Sequence, residues 1–407
     1  MPPDSALTCY ADDTLVLVWG SAWGRTVRLA ELAAACVIAA IRDLGLEVSP
    51  EKSEAMWLCK RADHGSPPAG YRLRLGAAEV EVGTRMKYLG LTLDSHWTFG
   101  DHFERLVPST EATANALGRL LPRLGGPSAG VRRLYAGVLR SRLLYGAPIW
   151  AASLVANRRS LLLVRRLHRT VAVRTVRAYR TVSTTAASLL AGFPPFELEA
   201  QRCREIYQRT RAPLGGVDKA ARVDAAVLAR RTLLASWRAN LAMGIGAPGL
   251  RVVEAVLPNW DDWLDGGGPA LTYRATQMLT GHGCFGEYLY RIGREASARC
   301  HHCDEEIDSA QHTLEHCPAW ALPRRALVAE IGRDLSPPAV FGALLVNERR
   351  RKAVVTFCEQ VMLRKEAEER ARERNSHPER IGGRQRGGDS GRATAKRARN
   401  VSPSGGF

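Results

Sequence analysis

The sequence predicts an α+β fold in which β-hairpins come first, helices follow, and a small zinc-finger-like region lies near the end. Three observations support this prediction. Leu15–Trp19 is an apolar run rich in strand-forming residues. Residues 28–44 carry apolar side chains at helical spacing and are followed by Gly45, a common helix stop. Residues 300–317 concentrate cysteine and histidine, as small metal-binding units do.

Two adjacent carboxylates, Asp12 and Asp13, stand at the tip of the first predicted hairpin, between Leu7–Tyr10 and Leu15–Trp19. Aspartate is common in tight turns because it bonds its own backbone, and this is one explanation of the pair. The alternative is a site for Mg²⁺, a hard cation that prefers oxygen ligands and supports phosphoryl or nucleotidyl transfer. The two residues alone leave both explanations open.

Positive charge is concentrated in the middle of the chain. The formal net charge is +17, which indicates a polyanionic partner. Residues 112–196 contain fourteen arginines and no aspartate, glutamate or lysine. Their apolar residues recur at helical spacing, so we expect helices with one buried face and arginine on the other. A solvated face is the alternative, but such faces normally mix both signs of charge.

Guanidinium groups bind phosphate through paired hydrogen bonds, so this segment predicts contact with a nucleic-acid backbone. The predicted binding residues are Arg132, Arg133, Arg140, Arg158, Arg159, Arg165, Arg166 and Arg169.

The cysteine cluster has the spacing C-x2-C-x8-H-x4-C. Its predicted ligands are Cys300, Cys303, His312 and Cys317. Four protein ligands complete a tetrahedral Zn²⁺ site, so the predicted role of the metal is structural. His316 is an alternative fourth ligand, and a chance grouping of reduced thiols is the alternative to a metal site.

Tyr10-Ala11-Asp12-Asp13 resembles the metal motif in the palm domain of reverse transcriptases. Further similar segments follow in order at residues 45–54, 86–94, 144–150 and 178–183. The segment at 86–94 resembles the primer-grip hairpin. The last two resemble the region after the polymerase core in non-LTR (LINE-type) retrotransposons of arthropods, the type that inserts into ribosomal genes. Residues 277–283 and 317–320 resemble the C-terminal finger region of these elements.

The resemblance implies five regions along the chain. These are a partial palm at 1–98, an arginine-rich helical thumb and connection at 99–196, a helical linker region at 197–295, a zinc-binding region with C-terminal helices at 296–364, and a basic disordered tail at 365–407.

The resemblance also implies an RNA-directed DNA polymerase and roles for individual residues. Asp12 would bind Mg²⁺ with Asp13 beside it, Tyr10 and Ala11 would line the approach of the primer end, and Lys52 would lie near the leaving group or be an ordinary surface lysine. RNA template and DNA primer or target are the implied partners. A further aspartate on an upstream strand is implied as well. Because nine residues precede Tyr10, we expect a C-terminal fragment that is inactive alone and whose palm sheet has an unpaired edge.

Two other functions fit parts of the sequence. One is a non-catalytic RNA- or DNA-binding protein that uses the arginine helices and the zinc unit. The other is a metal hydrolase built on Asp12 and Asp13, which lacks a nearby histidine or glutamate. No apolar stretch is long enough for a membrane span, and residues 396–399, Lys-Arg-Ala-Arg, favour the nucleus, with the cytoplasm as the alternative.

Overall fold

In this computed structural model the described residues are 1–59, 67–211, 218–244, 248–265 and 270–376. They form a mixed α+β, mostly helical structure with its strands at the N-terminal end, as the sequence predicts. Within these ranges, no helix has the combined length and apolar character needed to cross a membrane.

The strands of the described residues form three small sheets. They are β1 (Ser5–Tyr10), β2 (Asp13–Val18), β3 (Ala55–Met56), β4 (Arg72–Leu75), β5 (Ala78–Gly83), β6 (Arg85–Tyr88) and β7 (Leu91–Asp94). β1 pairs with β2 and β6 with β7 as antiparallel hairpins, and the third sheet has the order β3-β5-β4.

The helices follow, apart from the first, after the last strand. They are α1 (Trp23–Asp43), α2 (Gly100–Gly118), α3 (Ala129–Leu143), α4 (Ala147–Ala156), α5 (Arg158–Thr175), α6 (Thr184–Ala191), α7 (Phe196–Thr210), α8 (Lys219–Met243), α9 (Leu250–Val256), α10 (Trp260–Asp265), α11 (Tyr273–Thr280), α12 (Gly286–Arg291), α13 (Ala321–Ile331), α14 (Pro337–Val346) and α15 (Glu348–Ser376).

The β1–β2 hairpin has a tight turn of two residues, Ala11 and Asp12. Tyr10 pairs directly with Asp13, and Ala11 has a φ of 51°, the positive value that two-residue hairpin turns require at their first position. Among the described residues this sheet has two strands only, so both of its outer edges are unpaired.

Two large clusters of buried side chains form the hydrophobic core. The first runs from Leu91 to Ala200 and includes Phe103 and Trp150, whose rings meet edge to face at 5.0 Å. The second runs from Ala172 to Met362 and includes two of the predicted zinc ligands, Cys300 and Cys317. It draws residues from three of the predicted regions, and the region boundaries stay predictions.

The segment at 144–150 packs against the β6–β7 hairpin. That hairpin turns at Leu89 and Gly90, whose φ values are 45° and 78°. The Tyr145 hydroxyl donates to the Leu89 carbonyl at 2.8 Å, and the Trp150 indole donates to the Tyr145 carbonyl at 2.9 Å. Two of the segments that resemble retrotransposon sequences are therefore in contact.

The predicted start of the disordered tail at residue 365 is wrong. α15 continues to Ser376, and Lys365 and Glu366 are buried. The reason is long-range pairing: Lys365 binds Asp308, and Glu366 binds Arg274. The basic patch at 396–399 lies outside the described residues.

Candidate metal centre and nucleic-acid interface

The structure brings together the four predicted zinc ligands, Cys300, Cys303, His312 and Cys317. One potential ligand atom from each lies within 4.8 Å of every other. The Cys317 sulfur is 3.9 Å from that of Cys300 and 3.8 Å from that of Cys303, and Cys303 Sγ is 3.3 Å from His312 Nε2. Zinc–sulfur bonds of about 2.3 Å in a tetrahedron place two sulfurs about 3.8 Å apart, so these distances fit Zn²⁺.

A single π-helical turn, His312–His316, aligns two of these residues. The amide of Cys317 donates to the carbonyl of His312 at 2.9 Å, five residues earlier. A π turn is wider than an α turn and often occurs at functional sites. It brings the side chains at positions 312 and 317 next to each other, which regular α-helical spacing would not do.

His316, the alternative ligand, points away from the cluster. Its side chain is 69% exposed, and its Nε2 lies 3.3 Å from the carboxylate of the neighbouring Glu315. The geometry therefore selects Cys317 for the fourth position.

The environment of the cluster opposes charge on the free side chains. Burial raises the pKa of Cys300 to about 12, raises the pKa of Cys317, and lowers the pKa of His312. A bound dication reverses this preference, because the thiols lose their protons when the metal binds. Three sulfur donors and one imidazole are a donor set typical of structural zinc.

A buried ion pair lies beside the cluster. Lys365 Nζ is 2.9 Å and 2.8 Å from the two carboxylate oxygens of Asp308, and both side chains are at most 3% exposed. The same carboxylate accepts from the Gly286 amide at 2.9 Å and from the Thr313 hydroxyl at 3.1 Å. Sequence analysis missed this pair because 57 residues separate its members.

The predicted magnesium ligands are placed differently. Asp12 lies in the β1–β2 turn and Asp13 opens β2, and both are exposed, as are Tyr10 and Ala11. The cysteine cluster is the one group of three or more potential metal ligands found within the described ranges, so no third ligand joins the aspartates there. Lys52 ends a short 3₁₀ turn and is also exposed.

Arg132 corrects the predicted set of phosphate-binding arginines. It is 1% exposed and donates to the carbonyls of Arg174, at 2.7 Å, and Pro122. Burial, with a further contribution from Arg177, lowers its pKa to about 10. A guanidinium enclosed in this way cannot reach a phosphate, so Arg132 has a structural role.

Carboxylates from outside the acid-free segment pair with three more of the predicted arginines. Arg140 lies 2.8 Å from Glu199, Arg165 2.7 Å from Glu197, and Arg159 3.0 Å from Glu104. These acids belong to α7 and α2, so the tertiary fold supplies the partners that the local sequence lacks.

Arg169 is bound to backbone in a similar way. One of its Nη groups donates to the carbonyl of Val182 at 3.0 Å and to that of Arg180.

Arg158 and Arg166 form the most available part of the predicted interface. Both are exposed on α5, and no carboxylate of the described residues pairs with either of them. Together with Arg159, Leu162 and Leu163 they line an open depression on the surface of this helix. Arg133 is exposed on α3.

Comparison with known proteins relates most of the chain to one kind of mobile element. It is 29% identical over 383 residues to a 115 kDa protein in the type-1 retrotransposable element R1DM of Drosophila melanogaster, an alignment that covers 90% of the chain and 36% of the fly protein. A Pol polyprotein from the type-1 element R1 4 of Nasonia vitripennis is 24% identical, over 81% of the chain and 88% of its own length. A Pol polyprotein from R1 of Bradysia coprophila is 25% identical, over 67% of the chain and 27% of its own length.

The chain thus spans about a third of the fly relative and most of the first wasp relative. No family model matches the chain, and no solved structure is similar to it. The resemblance seen in the sequence is confirmed: over most of its length the chain is similar to non-LTR retrotransposon proteins of the arthropod R1 type.

Proposed function

We propose that this chain is a nucleic-acid-holding region of an RNA-directed DNA polymerase, the reverse transcriptase of an R1-type retrotransposon. The relatives named as Pol polyproteins support a polymerase origin. The observation that carries the binding role is the exposed face of α5, where Arg158 and Arg166 have no carboxylate partner among the described residues.

The α5 face would bind the sugar-phosphate backbone of an RNA template, a DNA primer or a DNA target. Two arginines about two turns apart on one helix can contact phosphates without reading bases. Leu162 lies between them and offers an apolar surface. We propose that this binding takes place in the nucleus, where the DNA target is found.

The cysteine cluster would hold Zn²⁺ through Cys300, Cys303, His312 and Cys317. The bound metal would supply structural cross-linking, because four protein ligands leave no open position for a substrate. Its role in the proposed function is to fix the C-terminal helices relative to one another.

Asp12 and Asp13 would supply two carboxylates to the magnesium site of a polymerase, with Tyr10 and Ala11 beside them. Two exposed carboxylates are an incomplete set for such a site. We therefore propose that the chain alone does not extend a primer.

Binding is tested by measuring the affinity of the chain for labelled RNA and double-stranded DNA as a function of salt. Replacing Arg158 and Arg166 together by glutamine should weaken binding to both and reduce the slope of log affinity against log salt by about 1.8 on double-stranded DNA, since two phosphate contacts are lost. Arg349→Gln is the control for losing an exposed arginine elsewhere, because it removes one charge from α15, where Arg349 pairs with Glu330. A double variant with the slope of the control would overturn the role of α5.

Catalysis is tested by primer extension with Mg²⁺, an RNA template and an annealed DNA primer. We expect no extension. Extension by the purified chain that disappears in Asp12→Ala would show that the site is complete without further ligands.

A further inference from the structure

One arginine holds the π turn that carries two of the candidate zinc ligands. Arg324, on α13, donates from Nε to the carbonyl of Leu314 at 2.8 Å. Its Nη2 donates to the carbonyls of Thr313 at 3.2 Å and Cys317 at 2.7 Å. Carbonyls at the end of a helical turn have no partner within the helix, so a fork of N–H donors at this point fixes the whole turn.

The opposite side of the same turn is also held. The hydroxyl of Thr313 donates to the Asp308 carboxylate at 3.1 Å, and Lys365 Nζ lies 3.3 Å from that hydroxyl. The turn therefore lies between the guanidinium of Arg324 and the buried Lys365–Asp308 pair, and its backbone has little freedom.

The charges around the cluster favour the metal-bound form. Three thiolates and one Zn²⁺ leave a net charge of −1 at a partly buried centre. Lys365 and Asp308 cancel each other, whereas Arg324 has no carboxylate partner among the described residues and is bonded to carbonyls next to His312 and at Cys317. A nearby positive charge lowers the free-energy cost of burying that net negative charge.

We propose that Arg324 is a positioning residue of the zinc site, which preorganises the 312–317 turn and balances the charge of the zinc–thiolate centre. This inference rests on the proposed zinc binding. Residues that orient metal ligands commonly change metal affinity by about 10- to 100-fold when they are replaced. Arg324 is found only through the fold, because the ligand spacing says nothing about α13.

The test measures Zn²⁺ affinity of the full chain by competition with a chromophoric chelator, and Co²⁺ substitution by its visible absorption. Arg324→Gln should bind Zn²⁺ about 10- to 100-fold more weakly than the unmodified chain and show altered Co²⁺ bands, because the ligand geometry loosens. Arg325→Gln is the matched control, because Arg325 is the exposed neighbour on the same helix. This variant should bind both metals as the unmodified chain does. Arg324→Lys keeps the charge but loses the fork, and should fall between the two.

The outcomes separate the two proposals. If the unmodified chain binds neither Zn²⁺ nor Co²⁺, zinc binding and this inference both fail. If the unmodified chain binds them and Arg324→Gln has equal affinity, the inference alone fails. Far-UV circular dichroism checks that each variant folds. If Arg324→Gln does not fold, Arg324→Lys is the deciding variant. A Zn²⁺ affinity and Co²⁺ bands equal to those of the unmodified chain would then overturn the role of Arg324.

Discussion

The two metal sites predicted from the sequence have very different surroundings in the structure. The zinc ligands lie at the edge of the second hydrophobic core, next to a buried ion pair and under Arg324. The aspartate pair lies on an exposed two-stranded hairpin. The buried members of both hydrophobic clusters begin at Leu91, so neither cluster includes a buried residue of this hairpin. The candidate zinc site therefore has all four potential ligands within this chain, whereas the hairpin presents two carboxylates and no enclosure.

The difference teaches how far a short motif can be trusted. All four zinc ligands lie within residues 300–317, so local folding is enough to bring them together. A magnesium site for nucleotidyl transfer needs oxygen ligands from several separate strands. The Tyr10–Asp13 motif can indicate such a site, but it cannot supply the remaining ligands by itself.

The largest expected effect is a loss of stability when the buried ion pair beside the candidate zinc site is broken. Lys365→Met leaves the Asp308 carboxylate buried without its cation and should lower the free energy of unfolding by about 3–5 kcal/mol. In the hairpin region the exposed pair of Arg25 and Asp4, 3.3 Å apart, should matter far less, and Arg25→Met should cost no more than about 1 kcal/mol. Urea unfolding of each variant gives both values.

The double variant Lys365→Met with Asp308→Asn serves as the control for that comparison. Since Asp308→Asn removes the unpaired charge, the double variant should be more stable than Lys365→Met alone. Equal losses of unfolding free energy in Lys365→Met and Arg25→Met would contradict the contrast between the two regions.

Acid should destabilise the helical part through His168. This side chain is 2% exposed, its Nε2 lies 2.7 Å from the Ser188 hydroxyl, and burial lowers its pKa to about 4. In the unfolded chain a histidine titrates near pH 6.5, so the unfolded state binds more protons between pH 6.5 and 4. The free energy of unfolding should therefore fall by up to about 3 kcal/mol as the pH drops from about 6.5 to about 4.

The measurement is the free energy of unfolding as a function of pH, with His168→Gln as the test variant. The variant should show a shallower decline. It should retain part of the dependence, because burial and Arg291 also lower the pKa of His282 to about 4. An unchanged pH profile in the variant would show that His168 does not contribute.

Zinc should stabilise the C-terminal region and not the β1–β2 hairpin. At a free zinc concentration 100 times the dissociation constant, the C-terminal region should gain about 2.7 kcal/mol, and Cys303→Ser should abolish that gain. Hydrogen exchange in β1 and β2 should be the same with zinc and with a chelator. Protection of the hairpin on adding zinc would mean that the two regions are coupled.

The smallest effect is expected at the aspartates themselves. Because Asp12 and Asp13 are exposed, Asp12→Asn should change the free energy of unfolding by less than about 0.5 kcal/mol in the absence of metal. Thermal melts of Asp12→Asn and Asp13→Asn check this. A loss above about 1 kcal/mol would indicate that the turn depends on the carboxylate.

Local patterns predicted much of the fold. The strand-forming run gave the first hairpin, and the helical spacing over residues 28–44 gave α1, which begins earlier, at Trp23. Gly45, with a φ of 76°, follows the end of that helix as expected. The cysteine spacing gave the four residues that the structure brings together as a candidate metal centre. In each case the interactions that decide the structure lie within about twenty residues, so the sequence pattern contains them.

Contacts between distant segments could not be read in this way. Arg132 and the exposed Arg133 are adjacent and identical in charge, and the tertiary contacts of α3, with the carbonyls of Arg174 and Pro122 as partners, bury only Arg132. The acids that pair with Arg140 and Arg165 lie on α7, and the charged end of α15 is helical because it binds Asp308 and Arg274. Charge and composition give the number of such groups and not their partners.

The π turn makes the backbone conformation at this point as important as ligand identity. In an ordinary α-helix, position 317 would lie about 140° around the axis from position 312, while position 316 would lie nearly above it. Converting the turn to a regular α-helix without changing its length would therefore turn the cysteine away from His312, even though every ligand were still encoded. The π-helical hydrogen bond from the Cys317 amide to the His312 carbonyl, five positions earlier, is thus itself a requirement for the site.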